Sequence, residues 1–170
     1  MESNAVPDFC YWVIPKSLLA GSYPDTAIKQ QTLVRLHVTR FLDLTMPGEI
    51  HPYVFRLRAV LAGLALPPES VHHEHFPIAD FTVPQQEQMV RILDQIDGWL
   101  AGGETIFVHC KFGAGRTGMV VGCYLVRHGM PGADALREIR RLRAGLLDSW
   151  RPSPENDEQQ DLVWRWPVGR

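Results

Sequence analysis

The most constraining feature of the sequence is a short apolar segment and a long apolar segment joined by a glycine-rich turn. Residues 105–108 form a continuous run typical of a strand buried on both faces. Residues 119–126 are almost wholly apolar, which predicts a helix enclosed by other elements. Together they predict a strand, a turn and a helix in the interior of the domain.

Hydrophobic periodicity predicts the elements around this unit. Strands are predicted at 9–14, 18–20, 40–44, 71–78 and 105–108, and helices at about 24–37, 52–66, 84–101, 119–126, 133–144 and 154–166. Strands and helices alternate from residue 40 onward, which favours an α/β fold with a central, largely parallel sheet flanked by helices on both faces. The 170 residues indicate a single domain over 9–166, with a flexible N-terminus at 1–8 and a C-terminal tail at 167–170.

Composition excludes several function classes. Lys and Arg number 17 against 19 for Asp and Glu, so we expect no binding to nucleic acid. The longest apolar stretches fall well short of the ~20 residues that span a bilayer, so we expect no membrane span. Three cysteines cannot form a disulfide framework, and residues 1–8 lack the basic start of a signal peptide. We therefore expect a cytoplasmic protein.

The turn itself, residues 108–118, has the composition of an oxyanion-binding loop. It precedes a helix, whose N-terminal amides and dipole attract negative charge. Gly113 and Gly115 let the backbone bend around an anion, and Arg116 offers a planar fork of donors suited to two phosphate oxygens.

Cys110 stands at the mouth of this loop, where the amides and Arg116 stabilise a thiolate. Five residues separate Cys110 from Arg116, enough to wrap a tetrahedral anion. This arrangement predicts attack by Cys110 on phosphorus, a phosphocysteine intermediate and then hydrolysis. Asp80, in the loop after a predicted strand, is the candidate general acid and then general base.

The pattern His-Cys-x-x-Gly-x-x-Arg-Thr-Gly resembles the signature of the cysteine-dependent tyrosine and dual-specificity protein phosphatases. Gly48-Glu49 with Tyr53, residues 75–80 with Pro84, and Ser153-Pro154 with Gln159 resemble the kinase-associated phosphatase branch and its bacterial relatives. The likeness extends over about residues 9–166. It implies a protein-tyrosine-phosphatase-like fold, a phosphorylated protein substrate, a kinase partner and no cofactor.

The resemblance also implies a role for each matching residue. Cys110 matches the nucleophile, Arg116 the phosphate-binding arginine and Asp80 the general acid. Thr117 would hydrogen-bond the thiolate, and His109 would orient the loop. Gln159 would position water, and the implied phosphate cradle consists of Lys111, Phe112, Gly113, Ala114, Gly115 and Arg116. Phe112 departs from the pattern because it is bulky and apolar, so we expect it to shape the pocket rim.

Two other functions stay open beside hydrolysis of phosphotyrosine, phosphoserine or phosphothreonine in proteins. Lys111 suits a polyanionic ring, which leaves an inositol phosphate or phosphoinositide phosphatase as an alternative. A phospho- or kinase-binding module without turnover is another, although intact Cys110, Arg116 and Asp80 weigh against it. Residues 113–118 also match G-x-G-x-x-G, but no acidic residue ends a following strand as a dinucleotide site requires.

Several other residues invite competing interpretations. His73 and His75 share one face of a predicted strand and His72 the other, but two histidines make a poor metal site, so no metal is expected. Asp43 is expected to cap a turn rather than act as a second acid. Cys10 and Cys123 are expected in the core rather than in a disulfide with Cys110. Five arginines form an expected basic surface: Arg127, Arg137, Arg140, Arg141 and Arg143.

Overall fold

A single five-stranded sheet with the order β1-β2-β5-β3-β4 forms the centre of the molecule. The computed structural model describes residues 6–170, so residues 1–5 of the predicted flexible N-terminus lie outside the described part. The strands are β1 (Cys10–Ile14), β2 (Leu18–Ser22), β3 (Arg40–Asp43), β4 (His72–His75) and β5 (Ile106–Cys110). Within residues 6–170, only the β1–β2 pair is antiparallel, which confirms the predicted largely parallel sheet.

Six α-helices cover the two faces of the sheet within residues 6–170. They are α1 (Ala27–Arg35), α2 (Val54–Gly63), α3 (Gln86–Ala101), α4 (Gly115–Arg127), α5 (Gly132–Leu142) and α6 (Asp157–Arg165). Helices α1 and α2 pack on Leu19, Phe41 and Phe107 at one face. Helices α3 and α4 pack on Leu42 and Val108 at the other. The predicted α/β class with helices on both faces is therefore confirmed.

Helix α4 and strand β5 are the most enclosed elements, as their composition predicts. All five residues of β5 are buried, and so are eleven of the thirteen residues of α4. The helix begins at Gly115 rather than near residue 119, because the end of the glycine-rich turn is already helical. The turn therefore leads from the carboxyl end of a buried strand directly into the first turn of a buried helix.

Some predicted boundaries are wrong. The strand predicted at 71–78 covers only His72–His75; beyond it, the Phe76 and Ile78 amides still donate to the Asp43 and Leu44 carbonyls. Helix α1 starts after Thr26, whose Oγ1 accepts a hydrogen bond from the Lys29 amide. Helix α6 starts after Asn156, whose Oδ1 accepts from the Gln159 amide.

Backbone hydrogen bonds fix both ends of the described chain to the domain. The Asp8 carbonyl accepts from the Leu147 amide, and the Gly169 amide donates to the Arg127 carbonyl. Cys10 and Cys123 are buried free thiols, as expected of core residues. No helix within residues 6–170 is long and apolar enough to cross a membrane.

Candidate active site

The glycine-rich turn forms a closed loop between β5 and α4. Cys110 ends the strand, and Ala114 precedes the first residue of the helix. The N-terminal amides of the 13-residue helix α4 therefore point toward the loop, where they favour a bound anion. The predicted oxyanion-binding geometry follows from this arrangement.

Gly113 allows the loop to lie against strand β2. Its φ of +69° is in the left-handed region, which side-chain-bearing residues rarely adopt. A Cβ at this position would lie 2.6 Å from both the Gly21 carbonyl oxygen and the Ser22 amide nitrogen. Any larger residue would therefore push the loop away from the sheet.

Cys110 and two unpartnered polar groups are buried in this loop. Cys110 is 2% exposed, and Arg116 and Thr117 are also buried. The Nε of Arg116 and the Oγ1 of Thr117 have no hydrogen-bond partner among the described residues. Buried donors are normally satisfied in folded proteins, so these two are available to a bound oxyanion and to the thiolate.

Glu49 holds the outer edge of the Arg116 guanidinium in a two-point ion pair. The Nη1–Oε2 distance is 2.7 Å and the Nη2–Oε1 distance is 2.6 Å. Arg116 Nη1 also donates to the Ile78 carbonyl at 3.2 Å. The hydrogen bond from Arg116 lowers the pKa of Glu49, although burial opposes this. Burial disfavours the charged guanidinium, but the neighbouring acidic groups, Glu49 first among them, outweigh it and raise the pKa of Arg116.

Asp80, the predicted general acid, lies at the same guanidinium. Its Oδ1 is 3.1 Å from Arg116 Nη2 and accepts a hydrogen bond from the Phe81 amide at 3.1 Å. Helix α6 supports the loop that carries Asp80. Asn156 Nδ2 donates to the Phe81 carbonyl at 2.9 Å, and Gln159 Nε2 donates to the Thr82 carbonyl at 3.4 Å.

Gln159 connects the loop that carries Asp80 to the glycine-rich turn. It is fully buried, and its Oε1 accepts from the Glu155 amide at 3.0 Å. A Cβ on Gly115 would lie 3.0 Å from the same Oε1 and 2.8 Å from a Glu155 carboxylate oxygen. Gln159 therefore lies next to the glycine-rich turn, and its role in positioning water stays a prediction.

His109 lies in a buried polar network on the opposite face of β5 from Cys110. Its Nδ1 is 3.3 Å from the Cys110 carbonyl and its Nε2 is 2.7 Å from the Tyr53 hydroxyl. Burial lowers the pKa of His109 to about 4, although the Asp43 carboxylate opposes this. His109 is therefore neutral near pH 7. Through Tyr53 it connects the start of helix α2 to the glycine-rich turn.

Asp43 caps a turn, as expected, but it also has histidine neighbours. Its Oδ1 accepts from the Thr45 amide at 2.9 Å and from Thr45 Oγ1 at 2.6 Å. Its Oδ2 lies 3.1 Å from His73 Nε2 and 3.0 Å from His75 Nε2. Burial alone would raise the pKa of Asp43, but hydrogen bonds from His73 and Thr45 lower it well below its ordinary range.

The rim of the site carries an aromatic side chain between two cations. Phe112 is 43% exposed, and its ring centroid lies 5.4 Å from Lys111 Nζ and 4.7 Å from Arg151 Cζ. Arg151 also pairs with Glu155 at 2.8 Å, which offsets part of its charge. A groove of about 390 Å³ borders this rim and is lined by Tyr23, Lys111, Phe112 and Leu147, among others.

The basic surface expected from five arginines is not formed as predicted. Arg143 is 2% exposed, and it binds the Arg151 carbonyl and the Asp148 carboxylate. Arg127 pairs with Asp94 and Asp97 on helix α3. The other three, Arg137, Arg140 and Arg141, lie on helix α5. The sequence gives little sign of this pairing, because the carboxylate partners of Arg127 lie more than 25 residues away.

Two residues of the site received no role from sequence reasoning. Glu49 and Tyr53 matched the resembling family, but nothing in their local sequence connects them to residues 109–116. The structure brings Glu49 to Arg116 and Tyr53 to His109, across 67 and 56 residues of chain. Only the topology, which ends β3 beside β5, makes these contacts available.

A buried cysteine, an arginine and an oxyanion-binding turn at the end of a parallel sheet define the cysteine-dependent phosphatase class. The family profile "PTP-SAK: Swiss Army Knife protein, DSP-PTPase phosphatase domain" matches residues 7–159. The chain therefore belongs to this family, within the dual-specificity phosphatase superfamily.

Named relatives agree with this assignment. The chain is 30% identical over 150 residues to the dual specificity protein phosphatase CDC14AB of Danio rerio, a match that covers 80% of this chain and 22% of the relative. It is 39% identical over 77 residues to the dual specificity protein phosphatase CDC14C of Homo sapiens, a match that covers 45% of this chain and 16% of the relative. The chain thus spans about a fifth or less of the length of these relatives.

Solved structures of similar shape support the fold. Tk-PTP in its active form superposes with a TM-score of 0.74 at 24% identity, covering 94% of this chain and 95% of that one. PTPMT1 in complex with PI(5)P gives 0.70 at 15% identity, covering 94% of each chain. Kinase-associated phosphatase superposes with a TM-score of 0.69 at 16% identity, covering 95% of this chain and 94% of that one. At these identities the likeness concerns the fold alone, and the placement in the kinase-associated branch stays a prediction.

Proposed function

We propose that this chain hydrolyses phosphomonoesters on proteins, phosphotyrosine first among them and also phosphoserine and phosphothreonine, through a phosphocysteine intermediate. The observation that carries the proposal is the pair of unpartnered groups, Arg116 Nε and Thr117 Oγ1, buried beside Cys110 in the loop. A bound phosphate gives Arg116 an acceptor, and the thiolate gives Thr117 one. The matching family and relatives are phosphatases by name.

The first step transfers the phosphoryl group to sulfur. The Cys110 thiolate attacks phosphorus, an S–P bond forms, and the P–O bond to the substrate breaks. Asp80 donates its proton to the departing oxygen, so an alcohol or phenol leaves. The N-terminal amides of α4 and the guanidinium of Arg116 stabilise the equatorial oxygens of the transferring group.

The second step returns the enzyme to its starting state. Water attacks phosphorus, Asp80 accepts a proton from it, and the S–P bond breaks to release inorganic phosphate. The Thr117 hydroxyl donates a hydrogen bond to the departing thiolate of Cys110. Gln159 positions the water, since it lies against both the loop that carries Asp80 and the glycine-rich turn.

The charges around the loop favour a substrate with one phosphate. Glu49 and Asp80 lie at Arg116, and Glu155 lies 2.8 Å from the Cβ position of Gly115. These three carboxylates repel a second phosphate placed beside the first. Lys111, whose Nζ lies 5.4 Å from the Phe112 ring centroid at the rim, supports the competing proposal of an inositol phosphate or phosphoinositide substrate.

Initial rates on matched panels test the proposal. We expect kcat/KM for phosphotyrosine peptides to exceed the values for inositol phosphates and for vesicles containing phosphoinositide, with phosphoserine and phosphothreonine peptides between them. Cys110→Ser is the matched blank for contaminating phosphatase. A higher kcat/KM on an inositol phosphate would transfer the assignment to the competing substrate class. Failure to hydrolyse any of these or an aryl phosphate would identify a phospho-binding module instead.

A further inference from the structure

A second cluster of functional side chains lies at the carboxyl edge of the sheet, on the opposite face from Cys110. In the strand register, Asp43 of β3 is paired with His75 of β4 and His109 of β5. His73 is two residues before His75 and therefore shares its face. Three imidazole Nε2 atoms surround one carboxylate oxygen, Asp43 Oδ2, at 3.1 Å for His73, 3.0 Å for His75 and 3.9 Å for His109.

The alignment of the three strands adds the further ligands that a metal site requires. His73 and His75 alone are two ligands, and the neighbouring strands add Asp43 and His109. Ligand atoms of Asp43, His73 and His109 lie within 4.8 Å of one another. Zinc binds nitrogen and carboxylate oxygen at about 2.0–2.2 Å in a tetrahedron, so its ligand atoms lie about 3.4 Å apart. The three distances to Asp43 Oδ2 bracket that spacing. Asp43, His73 and His109 already lie together, and His75 completes the set by turning its exposed side chain toward them.

A neighbouring side chain holds the carboxylate in place. Thr45 fixes the other carboxylate oxygen of Asp43 with two hydrogen bonds, the kind of outer contact that orients a metal ligand.

A route from solvent reaches the cluster. A cavity of about 70 Å³ is lined by Asp43, Tyr53, His73 and His75, among others, which is enough room for one ion and a water. The His75 side chain is 41% exposed and lies at the entrance, whereas His109 is fully buried and does not line the cavity.

We propose that Asp43, His73, His75 and His109 form a binding site for zinc or a similar borderline divalent cation, separate from the phosphate loop. A cation bound at His109 Nε2 replaces the contact of that nitrogen with the Tyr53 hydroxyl. His109 immediately precedes Cys110 in the chain, so the bound cation lies next to the nucleophile-bearing end of β5. The cation therefore acts as a reversible inhibitor of the proposed phosphatase, and this regulatory part rests on the proposed function. The binding site itself does not.

Metal titration of a Cys110→Ser background tests the site without the catalytic thiolate as a competing ligand. We expect one equivalent of zinc to bind and to raise the melting temperature. Cobalt(II) should give the intense visible absorption of a tetrahedral site, without a sulfur charge-transfer band. Adding His73→Gln and His75→Gln should weaken zinc binding by more than the roughly 10–100-fold that loss of an outer contact produces.

His72→Gln is the matched control, because His72 lies on the same strand with its side chain on the other face. Equal zinc affinity in the His72→Gln protein and the double variant would overturn the proposal and indicate adventitious binding to surface histidines. So would the absence of any stoichiometric binding to the Cys110→Ser protein. If the double variant fails to fold, His75→Gln alone, at the partly exposed position, must still weaken binding about 10-fold.

Activity in the parent protein tests the regulatory part independently. Zinc should slow hydrolysis of an aryl phosphate, and a chelator should restore the full rate. The zinc concentration for half-inhibition should rise in the double variant but not in His72→Gln. Unchanged inhibition in the double variant would contradict regulation through this cluster. A zinc-free protein without activity would contradict the proposed function rather than the metal site.

Discussion

Replacing Glu49 with glutamine tests whether the ion pair at Arg116 positions the phosphate-binding group. Arg116 is 1% exposed and Glu49 17%, and two hydrogen bonds of 2.6 and 2.7 Å join them. Glutamine keeps the shape of the side chain but removes its charge. It also places an NH₂ group against one guanidinium nitrogen, where both groups are donors.

The structure sets the size of the expected loss. A hydrogen bond to a charged group contributes about 1.5–3 kcal/mol, and breaking a buried ion pair costs about 3–5 kcal/mol. Asp80, 3.1 Å from Arg116 Nη2, leaves a second carboxylate near the guanidinium, which places the loss at the lower end. We expect Glu49→Gln to lower the free energy of unfolding by about 2–3 kcal/mol. We expect kcat/KM to fall by about 10- to 100-fold, or about 1.4–2.7 kcal/mol of transition-state stabilisation.

Urea unfolding and steady-state kinetics on an aryl phosphate measure the two effects. Glu104→Gln is the matched control, because Glu104 pairs with Arg40 at a similar 2.6 Å but away from the loop, with side chains 27% and 20% exposed. This pair is partly buried but more exposed than the Glu49–Arg116 pair, so we expect its loss to cost less, about 1 kcal/mol. The reasoning is refuted if Glu49→Gln loses no more stability than Glu104→Gln and keeps its kcat/KM.

Three further predictions follow from the site. Asp80→Asn should slow phosphopeptide hydrolysis by about 10²–10⁴-fold. The same variant should slow nitrophenyl phosphate hydrolysis much less, because a nitrophenolate leaves without a proton. Equal losses of rate on the two substrates would exclude Asp80 as the acid. Arg116→Lys should be nearly as inactive as Arg116→Ala in the same assay, since lysine lacks the planar fork, and recovery of most of the rate by lysine would contradict this. The pKa of His109 is about 4 in the fold and about 6.5 when unfolded, so the unfolded state binds more protons between these values. The free energy of unfolding should therefore fall by up to about 3 kcal/mol as the pH is lowered through that window. Urea unfolding of the parent and of His109→Asn over this pH range checks this, and the same pH dependence in both proteins would contradict it.

The elements with strong periodicity were predictable from the sequence. The enclosed strand and helix around the loop follow from apolar runs, and α3 follows from the stripe that buries Met89, Ile92, Leu93 and Ile96. Element ends were less predictable, because they depend on single hydrogen bonds. Thr26 and Asn156 cap their helices two residues after Pro24 and Pro154, the starts that the sequence suggested.

The reacting groups were predictable because they are contiguous. Cys110, Arg116 and Thr117 belong to one short motif whose spacing fits one anion. Glu49 was not predictable as the partner of Arg116, since its role depends on how the chain after β3 turns back over the loop. The histidine cluster needed the strand register, because Asp43 and His109 meet His73 and His75 only after β3, β4 and β5 align.

Trapping the intermediate tests the central claim most directly. The protein is mixed with an aryl phosphate, quenched in acid within the first turnover, digested and analysed by mass spectrometry for a phosphorylated peptide. We expect phosphate on Cys110, and we expect Cys110→Ser to show none and to keep less than about 1% of the parent activity. Turnover above that level in Cys110→Ser, or phosphate on another residue, would contradict a covalent mechanism through Cys110.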